Sequence, residues 1–464
     1  MNHTRRDFIK TAGLGIASGM LSSEAMSSEN RASTKRPNIL LFLPDQHRFD
    51  WIGTTPHIPV RTPALDALSR CGARFTRAVC PSPLCAPSRA CLAAGKEYDN
   101  CRVASNGVDY PIDQPTFYTM LRESGYNVMG CGKFDLHKAS QNWGLEGKHL
   151  LPEWGFTDGI DNAGKWDAIN SGKDSPKDPY MAYLHRNGLV DPHVKDFLQR
   201  RKVGKSAAFA TPLPNRAYCD NWIGQNGLNL LENAKTDQPW FMQVNFTGPH
   251  DPWDITHSMK QLYQGVDFNQ PNRNTQFTPM QHNEVRRNYS AMVENIDRWL
   301  SVYIEELKKR GEWENTLIVY SSDHGEMLGD HSMWGKSKPH QPSIGIPMTI
   351  AGPGVQQGII SDALVSLMDL TATFLEYADQ PVSQDMDSRS LIPVLSGQQT
   401  KHRDIQKSGL NNWKTIFDGQ YKLVEGYGKT KEPLLFDMLN DPLENDNIAG
   451  KAEKEVKRLR TLLG

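Results

Sequence analysis

The chain has 464 residues but only seven cysteines, and five of these, Cys71, Cys80, Cys85, Cys91 and Cys101, are bunched in one region. That is too few over too long a chain for a disulfide-built scaffold. Cys80, Cys85 and Cys91 also lack the paired Cys-x-x-Cys spacing of a zinc site. The odd count leaves at least one cysteine unpaired, which suits a special role for one of them. Net charge is nearly absent too, at −1. This removes any bulk electrostatic argument for nucleic acid or an anionic membrane surface as a partner. Positive charge gathered in a pocket is still open, and an anionic substrate would require it. No stretch reaches the ~18 uninterrupted apolar residues of a confident membrane span, so the mature protein is expected to have no stable one. Internal repeats are missing as well.

What is present fits a soluble globular protein: 38% hydrophobic and 23% charged residues. The length favours one large domain with a smaller one attached. The first thirty residues differ in texture. Thr4-Arg5-Arg6-Asp7-Phe8-Ile9-Lys10 precedes an apolar, Gly/Ala-rich run from Ala12 to Leu21 and the small residues Ser22-Ser23-Glu24-Ala25. A charged start, a short apolar run and a small-residue exit describe a signal peptide. The paired arginines resemble the twin-arginine export signal of bacteria. Residues 1–30 are therefore expected to engage the twin-arginine export machinery and deliver a periplasmic or secreted protein.

Ser28 to Lys35 reads as a linker. Three compact apolar runs then read as buried strands: Asn38 to Leu43, Trp240 to Phe246 and Thr316 to Ser321. Each ends in a polar cluster, Asp45-Gln46, Gly248-Pro249-His250-Asp251 and Ser322-Asp323-His324-Gly325. Helical patterns lie between them, over Thr62 to Cys71, Pro115 to Ser124 and Arg287 to Arg310. Ser361 to Ala378 reads as a further helix, and Asn162 to Lys177 as a polar, irregular stretch within the loops of 139–235. Alternating strands and helices predict an α/β fold with a large mixed, mainly parallel sheet flanked by helices. Ligands of such sheets gather at the carboxyl ends of strands, where all three polar clusters sit. After Pro393 the texture becomes short strands, Trp413 to Phe417 and Tyr421 to Val424, with a final helix over Glu453 to Leu463. The expected division is a catalytic domain over 34–384 and a C-terminal α+β subdomain over 385–464.

Cys85-Ala86-Pro87-Ser88-Arg89-Ala90-Cys91-Leu92-Ala93-Ala94-Gly95-Lys96 resembles the signature of the formylglycine-dependent sulfatases, in the alkaline phosphatase superfamily. The likeness spans nearly the whole mature chain. Asp45-Gln46 and Asp323-His324-Gly325 stand where the family carries paired metal ligands. Gly132-Lys133, Pro249-His250-Asp251-Pro252-Trp253 and Trp334-Gly335-Lys336 follow in the family's order. Leu435-Phe436-Asp437 and Asp441-Pro442-Leu443-Glu444 match its terminal segment.

The resemblance implies an alkaline-phosphatase-like fold and a sulfuric-ester hydrolase acting on a sulfated carbohydrate, with aryl sulfates as possible artificial substrates. Its nucleophile would be Cys85 oxidised to 3-oxoalanine (formylglycine) by a formylglycine-generating or anaerobic sulfatase-maturating enzyme. Asp45, Gln46, Cys85, Asp323 and His324 are the implied metal ligands. Hard oxygen donors suit Ca²⁺ or, less well, Mg²⁺. His324 either binds or only lines the site, because imidazole is a poor calcium ligand. Arg89 would steady the aldehyde hydrate, while Lys133, His250 and Lys336 would offset the charge of the ester, with His250 as the acid for the leaving alcohol. Trp253, Trp334 and Trp413 are candidates either for sugar stacking or for the core.

The pattern departs from the family in two places. Asp135 occupies the family's usual histidine position, and His137 lies two residues further on. If the strand continued, residues 133, 135 and 137 would share one face, and His137 could help the hydrate collapse; otherwise it contacts substrate or solvent. Gln46 replaces an aspartate, so the metal site carries one negative charge less. Phosphonate monoester or phosphodiester hydrolysis within the same superfamily, and a degenerate, non-catalytic carbohydrate-binding relative, are the alternative readings.

Overall fold

Successive residues of the strand Asn38–Phe42 face opposite ways into two different cores. Ile39 and Leu41 pack with Leu92, Leu121 and Phe374 on one side of the sheet. Leu40 and Phe42 pack with Ile223, Leu300 and Tyr303 on the other. A strand covered on both faces needs an unbroken apolar run instead of alternation, and this explains its sequence. The computed structural model describes residues 36–464, which form one compact unit. The signal peptide expected over 1–30 lies outside the described residues.

The main sheet has eight strands. Their spatial order is Asp158–Asp161, Asn127–Gly132, Trp240–Asn245, Asn38–Phe42, Thr316–Tyr320, Met348–Ala351, Ala73–Phe75 and Ile359–Ser361. All pairings are parallel except the two made by Met348–Ala351, which runs against both neighbours. The three strands read from sequence are adjacent at the centre, in the register Leu40 beside Met242 and Ile318. This is the expected mixed, mainly parallel α/β sheet, and its central carboxyl ends converge. Helices Cys85–Ala94, Phe117–Glu123 and Asp369–Tyr377 cover one face. Helices Pro63–Cys71, Cys219–Glu232 and Pro279–Lys309 cover the other.

Two stretches differ from the sequence reading. Ser361 to Ala378 is not one helix: strands Ile359–Ser361 and Val365–Ser366 come first, and the helix is only Asp369–Tyr377. The β-branched and apolar residues there pair with other strands before the helix can start. Asn162 to Lys177 contains the helix Lys165–Gly172, followed by the helices Pro179–Arg186 and Val190–Val203. Asp178 begins the second of these by accepting hydrogen bonds from the Tyr180 and Met181 amides.

The C-terminal part is a four-stranded antiparallel sheet, Gln406–Leu410, Trp413–Phe417, Tyr421–Glu425 and Leu434–Asp437. The helix Glu453–Leu463 packs on it through Val456 and Leu459. Leu410 and Trp413 enter the core of the main sheet, and the Gly409 amide donates to the Pro81 carbonyl at 3.1 Å, close to Cys85 in the chain.

Candidate active site

The site begins where the central strands stop. Asp45 lies past the end of Asn38–Phe42, and its amide donates to the Gly248 carbonyl at 3.0 Å. Gln46 adopts a left-handed backbone (φ 69°), turning the chain so that its amide donates to Asp323 Oδ1 at 3.0 Å. The two clusters at the ends of adjacent strands are thus tied to each other directly. Asp45, Gln46, Asp323 and His324 are all fully buried.

Cys85 is the first residue of the helix Cys85–Ala94. Leu84 supplies no side-chain cap, and Ser88 donates to the Asp323 carbonyl at 2.6 Å instead of capping. The Ala86 amide donates to Asn106 Oδ1 at 3.1 Å and the Ser88 amide to the Leu84 carbonyl at 2.9 Å, so it is the helix dipole that puts positive potential behind residue 85. Its Sγ lies 3.3 Å from His324 Nε2, 3.8 Å from Asp45 Oδ1 and 2.9 Å from Lys336 Nζ. His324 Nδ1 faces the Gly325 carbonyl at 3.0 Å and donates to it, which turns Nε2 toward Sγ. One ligand atom each from Asp45, Cys85, Asp323 and His324 lie within 4.8 Å of one another.

Cations surround this cluster. Arg89 is buried, with Nε 2.9 Å from Asp323 Oδ2 and Nη1 donating to the Lys133 carbonyl at 2.6 Å and to Asn245 Oδ1 at 3.0 Å. Lys133 Nζ bonds Asp45 and lies 2.7 Å from Asp135 Oδ2. Burial and Asp45 push the Cys85 thiol up, but Lys133, Lys336 and His324 outweigh them and hold it well below its ordinary value. Asp45 behaves alike: burial raises its carboxyl, and Lys133 and Lys336 bring it well below the usual range. The pocket thus favours negative charge at side chain 85.

His250 sits at the rim, one-fifth exposed, with Nδ1 2.5 Å from the Asp251 carbonyl. Asp251 is ion-paired with Lys205 at 2.8 Å. The turn is held from below by Lys165, whose Nζ donates to the carbonyl oxygens of His250 at 3.0 Å and Pro252 at 3.3 Å and to Asp254 Oδ1 at 2.6 Å.

Asp45, Gln46, Cys85, Arg89, Lys133, Asp323, His324 and Lys336 are therefore brought together, with His250 beside them. His137 is not. The strand ends at Gly132 and Asp135 has φ 55°, so residues 133, 135 and 137 do not share a face. Asp135 turns to Lys133 and Lys138. His137 is stacked on Trp154 at 5.1 Å, with Asp161 Oδ2 3.7 Å from Nδ1, and burial pushes its pKa down to about 4. Of the tryptophans offered for sugar stacking, Trp253 and Trp413 are core residues, and Trp334 stacks on His282. Sequence reading missed Asn245, Lys165 and Glu326, the last of which accepts a hydrogen bond from Gln46 Nε2. Each is a single polar residue whose importance arises only from what folds against it. Asn245 alone carried a signal, as a polar end to an apolar strand.

Comparison with known proteins agrees with this geometry. The sulfatase family model matches residues 37–380, and the model described as N-sulphoglucosamine sulphohydrolase, C-terminal, matches residues 329–463. An N-acetylglucosamine-6-O-sulfatase of Bacteroides thetaiotaomicron is 26% identical, over 96% of this chain and 88% of that one. A choline-sulfatase of Rhizobium meliloti is 27% identical, over 90% of this chain and 83% of its own. Among solved structures, a protein in complex with its substrate D-glucosamine-2-N,6-O-disulfate has a TM-score of 0.72 at 21% identity, covering 92% of this chain and 97% of that one. A phosphonate monoester hydrolase from Silicibacter pomeroyi has a TM-score of 0.78 at 22% identity, covering 92% and 94%. With the family matched over most of its length and its cysteine, acidic and basic signatures folded into one pocket, the chain belongs to the sulfatase family of sulfuric-ester hydrolases.

Proposed function

We propose that this enzyme removes sulfate from a sulfated carbohydrate after Cys85 has been oxidised to formylglycine. The observation that carries the proposal is a buried anion pocket built around Cys85, with Lys336 Nζ 2.9 Å from Sγ and Lys133, Arg89 and the helix N-terminus behind it. A sulfate ester repels nucleophiles through its own oxygens, so fixed cations aimed at those oxygens stabilise the transition state.

The donor set fits a hard divalent cation. Asp45 and Asp323 supply carboxylate oxygens, and Gln46 Oε1 is buried with no hydrogen-bond partner among the described residues. His324 Nε2 lies in the same cluster. Ca²⁺ is the ion we assign, with Mg²⁺ second. When bound it supplies Lewis-acid charge stabilisation. Formylglycine at position 85 would supply the nucleophilic oxygen, and its aldehyde chemistry a route for releasing sulfate. Arg89 fixes Asp323 and faces Asp45 at 3.9 Å, holding both carboxylates in place. Lys133 and Lys336 meet the sulfate oxygens. His250, with Nδ1 engaged by the Asp251 carbonyl, presents Nε2 to the leaving alcohol and gives it a proton.

A carbohydrate suits the surroundings. Beside Asp251–Trp253 a cavity of about 370 Å³ is edged by Trp166, Arg201 and Lys205. The Arg201 guanidinium lies 5.0 Å over the Trp166 ring, a flat and cationic wall for an anionic sugar. The sulfated amino sugars named for the relatives set the first substrates to test. Aryl sulfates would serve as artificial substrates, and the leader over residues 1–30 would carry the folded, matured enzyme out of the cytoplasm.

The test is purified enzyme co-expressed with a formylglycine-generating or anaerobic maturating enzyme. Mass spectrometry of the peptide over residues 80–96 establishes conversion of Cys85. Sulfate release is then followed on sulfated glucosamines, other sulfated sugars and aryl sulfates, beside a phosphonate monoester and a phosphate diester. Converted enzyme that releases sulfate from none of them refutes the proposal, and faster turnover of the phosphorus esters reassigns the reaction.

A further inference from the structure

One wholly buried carboxylate at the edge of the pocket takes no part in the steps above. Glu326 Oε1 accepts hydrogen bonds from the Leu328 amide at 3.0 Å and the Gly335 amide at 2.6 Å. Its Oε2 accepts one from Gln46 Nε2. We propose that Glu326 is a positioning residue that fixes the Gln46 amide in the one orientation that presents Oε1 to the divalent cation. The inference rests on the reading of Asp45, Gln46, Asp323 and His324 as the cation site.

The two ends of a glutamine amide have nearly the same shape, so packing alone does not choose between them. Hydrogen bonding does. A carboxylate whose oxygens already accept two main-chain N–H bonds can only accept a third, so the NH₂ end must face Glu326. The oxygen end then faces away. It is buried, has no hydrogen-bond partner among the described residues, and belongs to the residue between Asp45 and the bond to Asp323. A buried carbonyl oxygen left without a partner is destabilising, and a cation is the partner that would satisfy it. The same arrangement accounts for an uncharged ligand at this position. The negative charge has moved one residue outward, where a charge-assisted hydrogen bond polarises the amide and raises the donor strength of Oε1. Gly335 precedes Lys336, so the same carboxylate also anchors the turn that brings Nζ to residue 85.

The experiment measures cation binding to the full, chelator-stripped chain by calorimetry with CaCl₂ and MgCl₂, with the Tm shift at saturating CaCl₂ as a second readout. Glu326→Gln keeps the shape but can donate, which frees Gln46 to turn its NH₂ end toward the cation. The expected result is a 10–100-fold weaker Kd. In a Gln46→Glu background the sign reverses: two facing carboxylates repel, and Glu326→Gln tightens binding by relieving them. A merely structural role predicts weakening in both backgrounds, and that outcome overturns the proposal, as does an unchanged Kd for the single variant. Should the double variant not fold, a Gln46→Ala background decides: with the amide gone, Glu326→Gln should leave Kd unchanged, and continued weakening overturns the proposal. Wild-type chain that binds neither cation overturns the cation site itself, and the role of Glu326 with it.

Discussion

Replacing Arg89 by lysine keeps the charge and removes the fork. The guanidinium serves three acceptors in one plane: Asp323 Oδ2 through Nε at 2.9 Å, and the Lys133 carbonyl and Asn245 Oδ1 through Nη1 at 2.6 and 3.0 Å. An ammonium is a point donor on a flexible stem and cannot reach both ends of that set. If it stays with Asp323, the Lys133 carbonyl loses its bond from Arg89 in a buried site that water does not enter freely, while Asn245 Oδ1 keeps the bond from Gln243 Nε2 at 2.8 Å. At roughly 1–3 kcal/mol for the one acceptor left unmade, Arg89→Lys should cost about 1–3 kcal/mol of stability. Arg89→Gln also leaves Asp45 and Asp323 without their guanidinium, and should cost about 3–5 kcal/mol. Urea unfolding followed by tryptophan fluorescence and far-UV circular dichroism measures both, with the slope on urea checked for constancy. The order wild type, lysine, glutamine is the expectation. A lysine variant within about 0.5 kcal/mol of wild type, the range of surface substitutions, would refute the claim that the fork holds the strand ends together.

Lys336→Ala should lower kcat about 10²–10³-fold on a sulfate ester, the loss typical of one preorganised transition-state donor, while the unfolding midpoint changes little; unaltered kcat would remove Lys336 from the charge-stabilising set. His137→Phe should leave kcat/KM within about threefold, because the ring packs on Trp154 while Asp45, His324 and Lys336 are the side chains against Cys85 Sγ; a loss of tenfold or more would give it back a role in proton movement. His193 should make the fold acid-sensitive. Burial pushes its pKa from 6.5 down to about 3, so between those values the unfolded chain takes a proton that the folded one refuses, and stability falls as the pH drops below 6.5. By pH 5 one such group costs about 2 kcal/mol, and His193→Phe should flatten the stability profile between pH 7 and 5 by that amount; an unchanged slope would show that His193 is protonated in the folded state.

Much of this molecule is legible in one dimension. A strand buried on both faces must be apolar throughout, so Ile39 to Phe42, Trp240 to Val244 and Leu317 to Tyr320 announce themselves, and each break into polar residues marks a carboxyl end where ligands gather. Cys85 to Lys96 and the pairs at 45–46 and 323–324 then carry the family, because they match it residue by residue, Gln46 excepted. The helix Lys165–Gly172 and the short strands before Asp369 were not legible. Their conformation is chosen by partners far along the chain, such as Val365 pairing with Ala78.

Tertiary structure alone decided which polar residues meet. From sequence, residues 133, 135 and 137 share a face only if the strand persists. In the fold the chain turns at Asp135, which pairs with Lys133 while His137 leaves for an aromatic pocket. Gln46 reads as a weakened ligand until Glu326 is seen against its amide. The physical reason is the same in both cases. The chemistry of a side chain is written in its own letter, but its orientation and electrostatic surroundings are set by the neighbours that folding brings against it, Trp154 on His137 and Glu326 on Gln46, and no local pattern encodes those.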